Sequence, residues 1–267
     1  MPSLVKAAIL GVIQGLTEFL PVSSTAHLLI SSRLIGYDDP GGVFTVMIQL
    51  GSIIAVMWLY REKIIAVVAG LPSKPEARRF ALMIVLATIP LLVAGALFSK
   101  FVKSVLYGNF VVIALAFIIG GIIMLIVERV RPVPDVRTVD GLPTGRAVAI
   151  GAFQALALIP GVSRSGGTIV AAMAMRVDRA AAAEFTFFLA MPAMAAAFAK
   201  DLLDARHELS AARSTEIAVG FVMAFLASAV VVKPFLHFVR RSGFAPFAWY
   251  RIALGVAMLA AIAAGWK

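Results

Sequence analysis

Residues 14–27 read Gln14-Gly-Leu-Thr-Glu-Phe-Leu-Pro-Val-Ser-Ser-Thr-Ala-His27. This polar centre divides residues 4–32 into two apolar runs. Each is too short to cross a bilayer, which takes about 20 mostly apolar residues. A second region of the same kind covers 147–175, where Pro160-Gly-Val-Ser-Arg-Ser-Gly-Gly167 separates two short apolar arms. Both predict a re-entrant helix–loop–helix. Irregular backbone at membrane depth is tolerated only where protein buries it or where it lines a wet cavity. Each break is therefore a candidate site.

Six further stretches have the length and polarity of spans: 43–60, 80–98, 110–127, 185–199, 216–236 and 248–265. The fourth is short and is interrupted by Pro192. The 267 residues are 61% hydrophobic and 14% charged, against about 45–50% and about 25% in soluble chains. That excludes an ordinary soluble enzyme, a disordered chain and a collagen-like fibre. With no cysteine, disulfides, thiolate catalysis, iron–sulfur clusters and cysteine-type zinc sites are excluded too. His27, His207 and His237 lie far apart and show no metal-ligand spacing. The N-terminus does not read as a cleavable signal: Lys6 is its only early charge, and Gln14 and Glu18 interrupt the apolar run.

The net charge of +10 points away from nucleic acid, because the basic residues fall between apolar runs. There they act as topology signals and contacts for anionic lipid. Segments 61–79, 128–146 and 240–247 carry eleven Lys/Arg, and 99–109 with 200–215 carry five. The positive-inside rule makes the first group cytoplasmic and puts both termini outside.

The two halves are related. At an offset of 140, Gly11, Gln14, Leu16, Val22 and Ser23 match Gly151, Gln154, Leu156, Val162 and Ser163, and Phe44-Thr45 matches Phe185-Thr186 at 141. Each half holds one re-entrant segment and three spans, so the second enters the membrane upside down. The expected fold is an all-α integral membrane protein, a single domain over 1–267. It has six transmembrane helices and two re-entrant segments in an inverted-topology repeat. Repeat one is 1–127, a cytoplasmic linker is 128–146, and repeat two is 147–267. Such repeats place their site near the midplane, where broken helices meet.

Glu18 is the only acid in the first 37 residues. An acid inside the membrane is costly and is a functional candidate by default; its expected partner is a divalent cation or Arg164. Gln14 lies four residues before it, on the same helix face. Ser23, Ser24 and Thr25 follow Pro21, where hydroxyls cap helices. His27 can exchange a proton near neutral pH. In the second break, Gly161 and Gly166 let the backbone turn and expose its N–H groups. Ser163, Ser165 and Thr168 add hydroxyls, and Arg164 offers a planar fork suited to phosphate oxygens. A helix starts just after, and its dipole favours an anion. Together these parts suit phosphoryl transfer. Trp249, Tyr250 and Trp266 are expected as interfacial anchors. Asp178 and Glu184 are expected to be solvated or paired at the cytoplasmic end of a span.

The first motif resembles one signature of the undecaprenyl-pyrophosphate phosphatase family of the bacitracin-resistance type. Pro160-Gly-Val-Ser-Arg-Ser-Gly-Gly-Thr168 resembles the other. The resemblance extends to Phe44-Thr-Val-Met-Ile-Gln-Leu-Gly51 and Glu184-Phe-Thr-Phe-Phe-Leu-Ala-Met-Pro192. It implies a multi-pass enzyme of the bacterial inner membrane, with a site open to the periplasmic side. Such an enzyme removes the terminal phosphate of undecaprenyl pyrophosphate, recycles the carrier for cell-wall synthesis and confers resistance to bacitracin. It implies a divalent cation, Mg²⁺ or Ca²⁺. Glu18 would bind the metal or act as base, with Gln14 filling the Glu-or-Gln position of the metal pair. Arg164, Ser163, Ser165, Gly166 and Thr168, with Ser23 and Thr25, would bind pyrophosphate, and Ser24 and His27 would sit at the reacting phosphorus. Ser24 activated by His27, His27 itself and a metal-activated water all remain open as attacking group. Expected partners are the lipid pyrophosphate, membrane lipids and, as a homodimer, a second copy of the chain. A transporter or flippase for an anionic lipid is the competing reading, since broken helices in an inverted repeat serve transport as well.

Overall fold

The computed structural model describes residues 1–39, 42–205 and 211–266. His207 and the centre of the expected 200–215 loop lie outside them. The described residues form eleven α-helices, and their only β-pairing is the bridge between Val136 and Val177.

In chain order the helices are α1 Ser3–Thr17, α2 Ser24–Ile35, α3 Val43–Leu59, α4 Arg61–Gly70, α5 Pro75–Phe101 and α6 Phe110–Val130. They continue with α7 Thr144–Gln154, α8 Arg164–Ala174, α9 Arg179–Ala205, α10 Ala211–Ser242 and α11 Ala245–Ala263. Five are long and apolar enough to cross a membrane: α5, α6, α9, α10 and α11. A sixth exists if α3 and α4, bent by 74°, count as one span. The chain expected as a loop after residue 60 is thus helical at 61–70. Around 185–199 the structure has a longer helix, which Pro192 does not end. Asp178 starts it by accepting the Ala180 N–H at 3.0 Å.

Two apolar helices are broken. The α1–α2 junction turns over Glu18–Ser23. The α7–α8 junction passes through a 3₁₀ turn at Ala155–Leu158 and then a loop. Each ends on a serine with positive φ, 67° at Ser23 and 70° at Ser163. Such a conformation costs a non-glycine residue roughly 1–2 kcal/mol and persists only where the surroundings impose it. Phe19 supplies part of that hold, being fully buried and meeting Phe187 of α9 edge-on at 5.2 Å.

The helices pack crosswise between the halves. α1 lies on α10, α7 on α5, and α6 on α11. The matched glycines make the first two contacts possible. A Cβ at Gly11 would strike the Gly220 carbonyl, and one at Gly151 would strike the Ala87 carbonyl. In lipid, where apolar burial gives little net drive, such close backbone approach is a main source of helix association. Gly151→Ala is expected to destabilise the folded protein by about 1–3 kcal/mol through overpacking. Gly145→Ala, in open space on the same helix, should be neutral or slightly stabilising. Thermal unfolding in detergent compares the two.

The basic loops meet at one end of the bundle. Lys63 pairs with Asp140, Arg179 pairs with Glu128, and the Glu128 carboxylate accepts the Phe244 N–H. The linker is docked there rather than loose. Val136 bridges to Val177, and Arg146 donates to Asp135 at 2.6 Å and to the Met175 carbonyl at 3.2 Å. The Arg146 guanidinium holds the Asp135 carboxyl below its usual range.

Candidate active site

The two breaks meet at the Glu18 carboxylate. One oxygen accepts Arg164 Nη2 at 2.7 Å; the other accepts Gln14 Nε2 at 2.7 Å and Ser24 Oγ at 2.6 Å. Gln14 comes from α1, Ser24 from the start of α2 and Arg164 from the start of α8, so one acid gathers three segments. The Glu18–Arg164 pair is buried, with side chains 5% and 14% exposed. A buried pair of this kind is strongly destabilising to break, because removing one partner leaves the other charge uncompensated.

Two polar atoms at this cluster are buried and unpartnered: Gln14 Oε1, an acceptor, and Arg164 Nη1, a donor. Buried groups of this kind call for a partner. The first suits a cation and the second an anion.

Glu18, Ser24 and Arg164 line a cavity of about 890 Å³. Ser23, Thr25 and Ser163 also line it, and Leu28, Leu29, Val46, Leu91 and Met194 give it apolar walls. Tyr37 and Asp39 line it beside the start of α3. There Asp39 caps α3 through the Thr45 N–H at 2.8 Å and takes Arg213 Nη2 at 2.7 Å. The Tyr37 hydroxyl donates to Glu216, and burial pushes its phenol well above the usual range.

Gln14, His27, Ser165, Gly166 and Thr168 do not line the cavity. Ser165 Oγ donates to the Leu20 carbonyl at 2.8 Å, joining the second break to the first. Ser163 Oγ lies 3.1 Å from Ser165 Oγ and accepts the Gly166 N–H, which caps α8. Thr168 Oγ1 donates back to the Arg164 carbonyl. His27 faces α11. Its Nδ1 is 2.8 Å from the Ser23 carbonyl, which only accepts, so Nδ1 carries the proton. Its Nε2 then accepts the Tyr250 hydroxyl at 2.6 Å. Both ring nitrogens are thereby occupied. Among the described residues no group of three His, Cys, Asp or Glu side chains is placed to hold a metal ion. A cation here would rely on Glu18, Gln14 and its ligand's own oxygens.

Sequence reasoning missed Arg251, which is 1% exposed and lies between the breaks. Nη1 donates to the Pro21 and Val162 carbonyls, and Nη2 to those of Ala116 and Gly161, at 3.0–3.1 Å. The signal was present: a single arginine inside the apolar run 248–265. Its partners are backbone carbonyls, so no acidic side chain in the sequence announces it. Tyr250, expected only as an interfacial anchor, also reaches the site's edge through His27.

The model of the family described as bacitracin resistance protein BacA matches residues 7–257. The chain is similar to undecaprenyl-diphosphatase 1 of Agrobacterium fabrum, 47% identical over 260 residues and 97% of each chain. It is similar to the undecaprenyl-diphosphatase of Cereibacter sphaeroides, 48% identical over 259 residues and 97% of each. A third relative is the undecaprenyl-diphosphatase of Phenylobacterium zucineum, 48% identical over 263 residues, 98% of this chain and 99% of that one.

Proposed function

The chain belongs to the bacitracin resistance protein BacA family, and on that premise we propose that it is a multi-pass membrane phosphatase that hydrolyses undecaprenyl pyrophosphate to undecaprenyl phosphate and inorganic phosphate. In this reading it recycles the lipid carrier for cell-wall synthesis and confers bacitracin resistance. The observation that carries the reading is the convergence of Ser24 Oγ and Arg164 Nη2 on one Glu18 carboxylate beside an apolar-walled cavity.

Ser24 Oγ attacks the terminal phosphorus and passes its proton to Glu18. The new Ser–O–P bond replaces the anhydride P–O bond, and undecaprenyl phosphate leaves. Water then attacks the phosphoserine, Glu18 returns a proton to Ser24, and inorganic phosphate departs. Arg164 keeps Nη2 on Glu18 and offers Nη1 to the phosphate oxygens, neutralising charge as it develops. The apolar walls take the first isoprene units of the tail. Gln14 Oε1, buried without a partner, and Glu18 would hold a divalent cation; such ions are commonly held by one or two carboxylates plus substrate phosphates. It would supply charge neutralisation on the pyrophosphate.

The matched positive-φ serines, the paired glycine contacts and the crosswise helix packing support an inverted repeat with six spans and two re-entrant segments. The lining residues Tyr37 and Asp39 sit at the start of α3, and the basic segment 61–79 follows its far end. With the basic loops cytoplasmic, the cavity opens to the periplasmic side of the bacterial inner membrane.

Phosphate release from undecaprenyl pyrophosphate by detergent-purified protein, with and without EDTA, tests the proposal. Metal-dependent release is expected. Binding of the intact lipid without release would favour the transporter reading. Gln14→Glu, which replaces a neutral amide with a carboxylate, is expected to lower the Mg²⁺ concentration for half-activity by about tenfold, as ligand charge tunes cation affinity. An unchanged Mg²⁺ titration would remove Gln14 from the cation site.

A further inference from the structure

We infer that Arg251 is a positioning residue that sets the two halves of the active site in register; the inference rests on the phosphatase reading above. The residues assigned to attack, Ser24 and Glu18, follow or adjoin the first break, whereas Arg164 and Ser163 belong to the second. Direct side-chain links between the breaks are few: the Glu18–Arg164 pair, and Ser165 Oγ on the Leu20 carbonyl. In the attack Glu18 takes the Ser24 proton, and a neutral carboxyl holds the Arg164 guanidinium less strongly than a carboxylate does. The register of the breaks then needs a hold that takes no part in the reaction.

Arg251 supplies it. From α11 its guanidinium grips the Pro21 carbonyl of the first break, the Gly161 and Val162 carbonyls of the second, and the Ala116 carbonyl of α6. The planar fork fixes the directions of these bonds together. All four partners are backbone carbonyls, so the grip does not depend on any catalytic side chain. Phe117 lies against the guanidinium at 5.4 Å from its ring centre. A Cβ at Gly120 would strike the guanidinium, so that position too is shaped around it. Burying a cation is costly; four bonds from Nη1 and Nη2 offset that cost, Nε is left without a partner, and a hydrophobic residue could have filled the space. The preceding residue, Tyr250, extends the hold by fixing His27, whose Nδ1–H in turn holds the Ser23 carbonyl.

A loosened register leaves the second break able to bind pyrophosphate but misaligns Ser24 with the phosphorus. Misplacement by about 1 Å can cost about 100-fold in rate. Arg251→Gln is therefore expected to lower kcat per folded molecule about 100-fold, with KM within about threefold of wild type. Arg251→Lys keeps the charge and some donors and should recover about a tenth of the rate. Hydrogen exchange by mass spectrometry supplies a readout independent of turnover. The N–H groups of Val22, His27, Val162 and Gly167 are bonded within or beside the breaks, and their peptides should exchange faster in both variants, with α1 and α10 unchanged. Wild-type kcat in the folded variants, unchanged exchange at the breaks, or faster exchange throughout the bundle would each overturn the assignment. So would failure of both variants to fold, which would give Arg251 to global stability instead. If the wild-type protein released no phosphate, the phosphatase reading would fail while exchange at the breaks still decided the clamp.

Discussion

Ser24→Ala is expected to lower phosphate release by about 10³-fold or more, since loss of an enzymatic nucleophile leaves only the rate that binding and electrostatics sustain. The protein should stay folded. Ser24 Oγ gives Glu18 one of its three hydrogen bonds, and Gln14 and Arg164 keep the carboxylate paired after its removal. One such bond is worth about 1–3 kcal/mol at a charged group. Rapid acid quenching of wild type turning over lipid should trap phosphate on Ser24 as an acid-stable ester. Phosphohistidine is acid-labile, so the same quench separates Ser24 from His27, whose ring nitrogens are both engaged away from the cavity. A Ser24→Ala enzyme with more than about a tenth of wild-type turnover would transfer the attack to water.

Arg164→Lys should cost about 10²–10³-fold, the range seen when one preorganised donor to a developing anion is removed. Charge is conserved, so the argument is geometric. Arg164 has two jobs in opposite directions: Nη2 holds Glu18 at 2.7 Å, and Nη1 is buried without a partner, free for phosphate. A planar guanidinium does both at fixed separation, whereas an ammonium on a flexible stem is a single point. The loss should fall on kcat/KM, and the Mg²⁺ titration should keep its midpoint. Near-normal turnover would sink the assignment of Arg164 as the phosphate cradle.

Much of this was legible in the residues. Pro21 with its following hydroxyls, and Pro160-Gly161 with Arg164, marked both breaks. The 140-residue offset matched Ser23 with Ser163 and Gly11 with Gly151, positions that proved special in φ or in close backbone contact. Asking what could neutralise a lone acid in lipid left Arg164 and a divalent cation as partners for Glu18, and Arg164 is the one the structure pairs with it. His27 stands apart from the cavity lining, which its nearness to Ser24 in sequence did not suggest. The α2 residues lining the cavity are Ser24, Thr25, Leu28, Leu29 and Ser32. At about 100° per residue in a helix of 3.6 residues per turn, His27 falls roughly 130° from the middle of that stripe. Helical geometry could have said so. The bend between α3 and α4 was less accessible, because an apolar run states its length but not where it stops crossing. Arg251 was hidden because carbonyls, common to every residue, are its partners.

The glycine contacts also bear on how the chain is built. α1 is synthesised before the surface it mainly lies on, which belongs to α10, about 200 residues later. α7 by contrast finds α5 already made. α1 can meet α2 and α3 early, but its main neighbour arrives only when α10 has left the ribosome. Neither half carries a finished interior of its own, so the enzyme assembles late and as one piece.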